Sequence, residues 1–375
     1  MKRVIFIISE LNSGGTQKTV KHLIDKFYND NFIVKIITFE KKKIYNLKKK
    51  RIEYFNLNAS FESKNKLLGI INNIYRIILI RRILKKNNNS YLISFLTSTN
   101  ILSIFANFFL NNKLILSERN DPLRQPINFF WRTLRFFFYR FADEIICNSK
   151  QAIVYFNKFI SLKKLKYIPN YINLNKSYKS SQSKIILSIG RMHMQKGFDT
   201  LIKGFKKSKA VKLKWKLILI GNGPEKRKLQ NLSKLLNLGN NIKFINYTNP
   251  YKWYKKAGIF ALFSRYEGMP NVVLESLACS TDVIATTECG AVSEIINNNH
   301  VIIVNAGEEY LEAMNNVSIK NKTVKKYINE FASFLSTMKL PKMEIKYIEN
   351  STTETTTWQS SISIKLNFNT LLILL

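Results

Sequence analysis

The chain has 375 residues, of which 46% are hydrophobic and 13% aromatic. This length and apolar content suit two folded domains and exclude an intrinsically disordered chain. The 60 Lys and Arg residues outnumber the 24 Asp and Glu residues and give a formal net charge of +36. Such an excess attracts anionic surfaces at long range, so that lipid headgroups and nucleic acid both qualify as partners on charge alone.

Three short features bear on the compartment and the membrane. Cys147, Cys279 and Cys289 form no C-x-x-C pair and no metal spacing, which predicts reduced, mostly buried thiols of a cytoplasmic protein. The apolar run at residues 4–8 is too short for a signal peptide and is predicted to be a buried strand. Polar residues interrupt segment 92–110, which therefore predicts a strand, a turn and a helix. We expect no transmembrane helix.

Apolar strands alternate with longer helical segments in the first 170 residues. This alternation predicts a doubly wound α/β domain over residues 1–170. The predicted strands are 4–9, 34–39, 53–57, 91–95, 113–117 and 144–148, and the predicted helices include 17–28 and 65–84.

A second alternation follows a polar linker. Residues 171–182 are rich in Ser and Lys after Ile168-Pro169-Asn170, and we expect a hinge there. A second doubly wound domain is predicted over 183–338, and an atypical, disordered tail over 339–375. The predicted strands of the second domain are 185–189, 216–220, 242–246, 259–263, 283–286 and 301–304, and its predicted helices include 198–207, 225–236 and 324–338.

The most informative stretch is S-R-Y-E-G-M-P-N-V-V-L-E at residues 264–275. A buried strand is predicted before it, a turn at Gly268 and Pro270 within it, and a helix over 272–279, with Pro270 in the first turn. A helix that begins there favours an anion at its N-terminus. Glu267 on the turn and Glu275 about two turns into the helix suit the hydroxyls of a sugar nucleotide. The alternative is two exposed surface carboxylates.

The spacing of these two glutamates, Glu-x7-Glu, resembles the signature of the retaining family 4 glycosyltransferases. The resemblance covers about residues 3–305, because further motifs occur in the family's order: Gly14-Gly15, Ile168-Pro169-Asn170, Gly190-Arg191 with Lys196-Gly197, and Gly221-Asn222-Gly223-Pro224.

The resemblance implies the GT-B fold, two Rossmann-like α/β domains facing across a cleft. It also implies transfer of a hexose, with retention, from a nucleoside diphosphate sugar to a saccharide or lipid-linked saccharide acceptor in surface polysaccharide biosynthesis. A UDP-sugar is the favoured donor. No metal ion and no cofactor other than this donor substrate is expected.

The resemblance also assigns roles to individual residues. Arg191 and Lys196 stabilise the departing diphosphate, and Glu267 contacts the donor hexose; these are the expected catalytic residues. Glu275 contacts the ribose. The other expected donor-binding residues lie in loops near the diphosphate or the base, namely Gly15, Gly221, Asn222, Gly223, Tyr247, Gly268, Met269 and Asn271. The alternatives are solvated cations at Arg191 and Lys196 and an ordinary turn at Gly15.

Segment 128–141 interleaves aromatic residues with Arg132, Arg135 and Arg140. One interpretation is a helix that lies in the headgroup region with its arginines on phosphates. The other is a helix that packs its aromatic side chains on the sheet and turns its arginines outward. The resemblance favours membrane contact at the inner face, since many family members act on lipid-linked acceptors. Just before this segment, Glu118 and Arg119 either contact substrate or cap the next helix.

Other functions stay open at this point. The family sequence C-G-T-P is replaced by C-S-T-D at 279–282, which predicts a less rigid loop, and the tail departs from the family pattern. A degenerate, non-catalytic GT-B protein is therefore one alternative. A basic nucleic-acid-binding protein is another, but the chain contains no recognisable module of that kind, and we expect no nucleic-acid partner. A nucleotide-sugar epimerase or inverting transferase on the same fold is a third alternative, against which the lack of a plausible catalytic histidine in the first domain and the presence of Glu-x7-Glu both count.

Overall fold

The computed structural model describes residues 1–11, 14–40, 50–61, 65–170, 183–208, 210–286, 288–292, 301–304, 345–347 and 362–364. It divides into two compact units, the first ending at Pro169 and the second beginning at Asn170. The predicted hinge at 171–182 and the predicted helix at 324–338 lie outside the described residues, as does the tail apart from one strand pair.

The first unit is built on a seven-stranded parallel sheet with the strand order β3-β2-β1-β4-β5-β6-β7. The order reverses between β1 and β4. The strands are β1 (Arg3–Ile7), β2 (Ile33–Thr38), β3 (Ile52–Asn56), β4 (Tyr91–Phe95), β5 (Lys113–Glu118), β6 (Glu144–Cys147) and β7 (Leu165–Tyr167). The helices are α1 (Gly15–Asn29), α2 (Lys66–Lys85), α3 (Thr97–Asn107), α4 (Phe129–Phe138) and α5 (Lys150–Asn157), with 3-10 turns at Tyr139–Phe141 and Leu162–Lys164.

The strands of this sheet are almost continuously apolar because helices cover both of its faces. Ile5 and Ile7 of β1 are fully buried in the core, together with Leu114 and Leu116 of β5. The six strands predicted for this half are confirmed. Strand β7 and helix α5, which are three and eight residues long, were not predicted.

The second unit contains a six-stranded parallel sheet with the order β10-β9-β8-β11-β12-β13. Here the order reverses between β8 and β11. The strands are β8 (Ser183–Ile189), β9 (Lys216–Ile220), β10 (Ile242–Ile245), β11 (Ala257–Leu262), β12 (Asp282–Thr286) and β13 (Val301–Val304). The helices are α6 (Phe198–Lys207), α7 (Lys226–Leu235), α8 (Tyr251–Tyr254) and α9 (Asn271–Ala278), with 3-10 turns at Met194–Lys196 and Gly239–Asn241. A separate antiparallel pair joins β14 (Ile345–Tyr347) to β15 (Ile362–Ile364).

Helix α4 differs from both interpretations of segment 128–141, because each of them placed all three arginines outward. Arg135 is instead 1% exposed. Its guanidinium donates to the carbonyl of Pro122 at 3.1 Å and to the hydroxyl of Tyr155 at 2.6 Å, and it lies over the Tyr155 ring. Arg132 and Arg140 are exposed. Five phenylalanines of this segment also face outward, namely Phe129, Phe130, Phe136, Phe137 and Phe141.

The three cysteines are free and buried. Burial raises the pKa of Cys279 and of Cys289 to about 12, and it also raises that of Cys147. Within the described ranges, no helix combines the length and the apolar character that crossing a membrane requires.

Candidate active site

Loops from four neighbouring strands, β10, β9, β8 and β11, gather at the carboxyl edge of the second sheet. In an open parallel sheet, the loops on either side of the strand-order reversal diverge and leave a crevice for ligand. In this unit the crevice lies between the loop after β8 and the loop after β11. These loops carry Arg191 and Lys196 on one side and Glu267 to Met269 on the other. The motif of Arg191 and Lys196 and the motif at residues 264–275 therefore both lie at the strand-order reversal of the second sheet.

The carboxylate of Glu267 is held by groups from both loops. Its Oε1 atom accepts a hydrogen bond from the hydroxyl of Ser264 at 2.7 Å and forms an ion pair with the ammonium of Lys196. The side chains of Lys196 and Glu267 are 21% and 10% exposed. An ammonium has three N–H donors, so Lys196 can hold Glu267 and still donate to a ligand oxygen.

Arg265 fixes the two loops against each other. Its guanidinium donates to Asp199 Oδ2 at 2.7 Å and to the carbonyl of Met194, and its backbone N–H donates to the carbonyl of Gln195 at 2.7 Å. Burial alone would raise the pKa of Asp199, but the hydrogen bond and charge of Arg265 outweigh it, and the pKa lies below its usual value. The amide of Gln195 donates in turn to the carbonyl of Tyr266 at 3.0 Å.

Two glycines permit the close approach of these loops. Gly197 has φ +59°, and a Cβ there would lie 1.9 Å from the carbonyl oxygen of Phe263. Gly221 has φ +153°, and its Cβ would lie 1.9 Å from the carbonyl oxygen of Gly190. Both the positive φ and the short separation exclude a side chain at these positions. The glycines therefore set the spacing between neighbouring loops.

Helix α9 begins at Asn271, one residue before the predicted start at 272, and Pro270 precedes the helix instead of lying in its first turn. Pro270 has extended φ and ψ angles of −78° and 110°, and the helix starts at Asn271. The N-cap residues of α9 and α6 are Pro270 and Gly197, and neither of these two residues makes a capping hydrogen bond with its side chain. In α6 the carboxylate of Asp199 accepts from the backbone N–H of Thr200 in the first turn.

Asn170 supports the turn that precedes α9. Its side-chain amide donates to the carbonyl of Met269 at 2.8 Å and to Asn271 Oδ1 at 2.5 Å. Met269 itself is 5% exposed and packs with Leu274 in a small apolar cluster. Asn170 was predicted to lie at a linker boundary, and no role in this turn was predicted for it.

Glu275 lies just over one turn into α9, because α9 starts at Asn271 and a turn takes 3.6 residues. The prediction of about two turns was wrong. The side chain is also less accessible than a surface carboxylate, since the residue is 4% exposed. The hydroxyl of Tyr254 donates to Glu275 Oε2 at 3.0 Å. Burial, followed by the charge of Glu275, raises the pKa of Tyr254 well above its ordinary value.

The remaining predicted residues of this unit line the same edge of the sheet. Arg191 is exposed directly after β8, Asn222 is exposed after β9, and Tyr247 is 49% exposed after β10. Gly223 follows Asn222, and Gly268 is buried between Glu267 and Met269. The ammonium of Lys226 contacts the side chains of both Asn222 and Asn246 and so joins two of the loops.

Two groups of predicted residues lie in the first unit. Gly15 is the exposed first residue of α1. Glu118 is 1% exposed and accepts hydrogen bonds from the side chains of Tyr139, Asn100 and Thr97. Arg119 is 8% exposed and donates to the hydroxyl of Thr19 at 3.1 Å. The carboxylate of Glu118 therefore serves a buried network of the first unit.

Several residues that organise the site were missed from the sequence. Ser264 and Arg265 occur in the quoted motif, and their position beside Glu267 was a usable signal. Asp199, in the first turn of α6, offered a weaker one. Nothing in the local sequence pointed to Tyr254, because its partner Glu275 is 21 residues away and comes near it only in the folded unit.

The chain is similar to known glycosyltransferases. A family model described as "Glycosyl transferases group 1" matches residues 172–342. The chain is 27% identical over 309 residues to the GalNAc-alpha-(1->4)-GalNAc-alpha-(1->3)-diNAcBac-PP-undecaprenol alpha-1,4-N-acetyl-D-galactosaminyltransferase of Campylobacter jejuni, with coverage of 80% of this chain and 83% of that enzyme. It is 30% identical over 296 residues to an uncharacterized glycosyltransferase of Methanocaldococcus jannaschii, with coverage of 72% and 71%.

Solved structures resemble the chain over most of its length. A crystal structure of a S. aureus TarM variant in complex with fondaparinux, alpha-GlcNAc-glycerol and UDP has a TM-score of 0.70 at 16% identity. The match covers 90% of this chain and 98% of the TarM chain.

Proposed function

This chain belongs to the group 1 glycosyl transferases and has the GT-B fold, and from that membership we propose a specific reaction for it. The reaction is transfer of a hexose, with retention of anomeric configuration, from a nucleoside diphosphate sugar to a saccharide or lipid-linked saccharide acceptor. The favoured donor is a UDP-sugar, and the proposed process is surface glycan assembly. The observation that carries the proposal is the contact of Lys196, Ser264 and Glu267 at the strand-order reversal of the second sheet.

Two cations are placed to stabilise the leaving group. Negative charge develops on the diphosphate as the glycosidic bond breaks, and fixed positive groups lower the energy of that transition state. The exposed fork of Arg191 suits a diphosphate, and Lys196 is held in place by Glu267. The positive ends of the α6 and α9 helix dipoles favour an anion at the same edge. These protein groups supply the positive charge, and our proposal therefore requires no metal ion.

The carboxylates act on hydroxyl groups in this proposal. Glu267, oriented by Ser264 and Lys196, accepts from the donor hexose, while Glu275, oriented by Tyr254, accepts from the ribose. In the reaction, the bond between C1 of the hexose and the phosphate oxygen breaks, and a bond from C1 to the acceptor oxygen forms on the same face. The acceptor proton passes to the leaving phosphate oxygen, so no protein base is needed.

Thermal-shift measurements on the full chain test the donor site. A ligand that binds the native state raises its melting temperature, and we expect UDP and UDP-hexoses to do so while GDP and ADP do not. Arg191→Ala should abolish most of the shift without lowering the melting temperature of the free protein, since Arg191 is exposed. If a demonstrably folded protein binds none of these nucleotides, the chain is a non-catalytic member of its family.

The acceptor side of the proposal includes contact with a membrane. The Campylobacter jejuni relative is named for an undecaprenol-linked diphosphate substrate, and we extend a lipid-linked acceptor to this chain. Support comes from segment 128–141, where Phe129 is 74% exposed, Phe137 is 53% exposed and Arg132 and Arg140 face solvent. Exposed aromatic side chains beside exposed arginines suit an anionic membrane surface.

Vesicle sedimentation tests this contact. Phe136→Ser combined with Phe137→Ser should reduce binding to phosphatidylglycerol-containing vesicles by roughly tenfold or more, because two large apolar side chains lose their burial in lipid. The matched control replaces two exposed leucines of the second unit, Leu213→Ser with Leu235→Ser, and should bind like the wild type. Equal losses in both variants would point to general surface effects and would refute a membrane contact through this segment.

A further inference from the structure

The guanidinium of Arg265 is fixed beside the turn that carries Lys196. It donates to the carbonyl of Met194, which precedes Lys196, and to Asp199 Oδ2 at 2.7 Å, which follows it. The backbone N–H of Arg265 donates to the carbonyl of Gln195 at 2.7 Å. One residue therefore contacts the chain on both sides of the ammonium that the proposed reaction uses.

The loop that carries Arg265 is held on both sides of this residue. The side-chain amide of Gln195 donates to the carbonyl of Tyr266 at 3.0 Å. Ser264 is fully buried, and its hydroxyl donates to Glu267 Oε1 at 2.7 Å. None of these contacts uses the Arg265 side chain. A substitution of that side chain therefore leaves the neighbouring contacts of the loop in place.

Asp199 brings a carboxylate close to the proposed diphosphate site. It lies in the first turn of α6, three residues after Lys196, and accepts from the backbone N–H of Thr200. Between Gly190 and Lys207 it is the one acidic residue of the sequence. A carboxylate at a helix N-terminus interacts favourably with the helix dipole, and it then competes with any other anion for that end of the helix. An uncompensated carboxylate there would also repel a diphosphate.

Arg265 compensates the charge of Asp199. The two groups are 2.7 Å apart, and each side chain is 39% exposed. Burial raises the pKa of Asp199, but the hydrogen bond and the charge of Arg265 outweigh it and hold the pKa below its usual value. An ion pair with this much exposure contributes little to the stability of a fold. The pair is therefore better explained by the charge that it removes from the edge of the sheet.

We propose that Arg265 keeps the donor site receptive to a diphosphate by neutralising the carboxylate of Asp199 at the start of α6. The inference rests on the proposed function and deepens it, because it concerns the same diphosphate site. Arg265 does not touch the donor in this role. It acts through Asp199, whose negative charge would otherwise oppose that of the ligand.

Isothermal titration calorimetry with UDP on the full chain tests the inference. Arg265→Met leaves Asp199 charged and unpaired, and we expect the affinity for UDP to fall roughly tenfold or more at low salt. Adding Asp199→Asn to Arg265→Met removes this charge. The double variant should therefore bind UDP at least about threefold more tightly than Arg265→Met. A purely structural role of the ion pair predicts no such recovery, because the double variant lacks both partners.

Salt provides a second measurement on the same proteins. The ratio of the wild-type affinity to that of Arg265→Met should shrink between about 50 mM and about 500 mM salt, because ions screen the repulsion from an unpaired carboxylate. A ratio that does not change with salt would show that the loss of affinity has another cause than charge.

Lys228→Met is the matched control. Lys228 is an exposed residue of α7 that pairs with Glu225 at 3.5 Å. Its substitution removes one positive charge from the same unit, as Arg265→Met does, and should leave the affinity for UDP unchanged. Circular dichroism melts of all variants show whether each is folded.

Four results would overturn the inference or its basis. Arg265→Met that binds UDP like the wild type, no recovery on adding Asp199→Asn, or an equal loss in Lys228→Met would each remove the role of Arg265. The proposed donor site would stand in these three cases, since the wild type still binds UDP. A folded wild type that binds no UDP would refute the UDP donor site, and the role of Arg265 with it.

Discussion

Lys196 and Glu267 are 71 residues apart in the sequence, yet the ammonium of one contacts the carboxylate of the other at the carboxyl edge of the second sheet. Lys196 precedes α6 and Glu267 precedes α9, so that the pair joins the N-terminal ends of two helices. In the proposed reaction one partner faces the diphosphate and the other faces the hexose. The ion pair therefore positions both groups before the donor arrives.

Removing either partner should impair both catalysis and stability. We expect Lys196→Met and Glu267→Gln each to lower kcat by about 10²- to 10³-fold, the usual cost of removing one stabilising group at the reacting centre. The double variant should lose much less than the product of the two single losses, because the residues act as a unit. Steady-state kinetics with donor in excess provides the measurement.

The pair formed by Lys113 and Glu144 is the matched control. It lies in the first unit, at 3.3 Å, with side-chain exposures of 36% and 13%. Lys113→Met should change the melting temperature slightly and leave kcat as in the wild type. An equal fall in kcat for Lys113→Met and Lys196→Met would show that the loss reflects destabilisation and would remove Lys196 from the catalytic site.

Gly197→Ala should destabilise the second unit by at least about 2 kcal/mol, because the left-handed backbone and the short contact with the Phe263 carbonyl both oppose a Cβ. The same variant should weaken UDP binding, since the loop that carries Lys196 must shift. The control is Gly239→Ala. Gly239 has a positive φ of +32°, but a Cβ added there would meet nothing within 4 Å. This substitution should lower the free energy of unfolding, measured by urea denaturation, by only about 1 kcal/mol. Similar costs for both variants would contradict the contact with Phe263.

Ser280 follows α9 with a left-handed φ of +57°. It occupies the position where the family sequence C-G-T-P has glycine, and glycine is the residue best suited to this conformation after a helix. Ser280→Gly should therefore raise the free energy of unfolding by up to about 1 kcal/mol, the strain of a non-glycine residue less the entropy that glycine adds to the unfolded chain. A loss of stability measured by denaturation would show that the Ser280 side chain contributes more than its backbone costs.

The buried Glu118 predicts a pH dependence of stability. Burial raises its pKa above the ordinary value of 4.5. At a pH between the ordinary pKa of the unfolded state and the raised pKa of the native state, the native state retains a proton that the unfolded state releases. The free energy of unfolding therefore falls as the pH rises from the first pKa to the second. Glu118→Gln removes the titratable carboxyl group and therefore removes this decline in the free energy of unfolding. The stability of the variant relative to the wild type should therefore rise with pH, by at most about 1.4 kcal/mol per unit.

Denaturation with urea at several values between about pH 4.5 and pH 8 measures the effect. Asp25→Asn, which removes an exposed carboxylate of the same unit, should give a curve parallel to that of the wild type. If Glu118→Gln also runs parallel to the wild type, the carboxyl is ionised at the same pH in the native and unfolded states.

The alternation of strands and helices was predictable because parallel strands buried on both faces must be apolar. The run before Ser264 is of this kind, and β11 is buried along its whole length. Charged residues that meet across the fold were not predictable in the same way. Asp199 and Arg265 are 66 residues apart, and their pairing depends on how two loops approach each other. Arg135 was predicted to face outward because its partner is also distant in the sequence. The Tyr155 hydroxyl to which Arg135 donates belongs to a later helix.

The burial of all three cysteines has a practical consequence. A thiolate is the reactive form, and thiols with a raised pKa inside an apolar interior resist maleimides and oxidants. A single cysteine introduced at an exposed position of either unit would therefore be labelled selectively in the otherwise unmodified chain. Spin labels or fluorophores attached in pairs, one on each unit, would then report the distance between the units with and without nucleotide, and no native cysteine would have to be removed first.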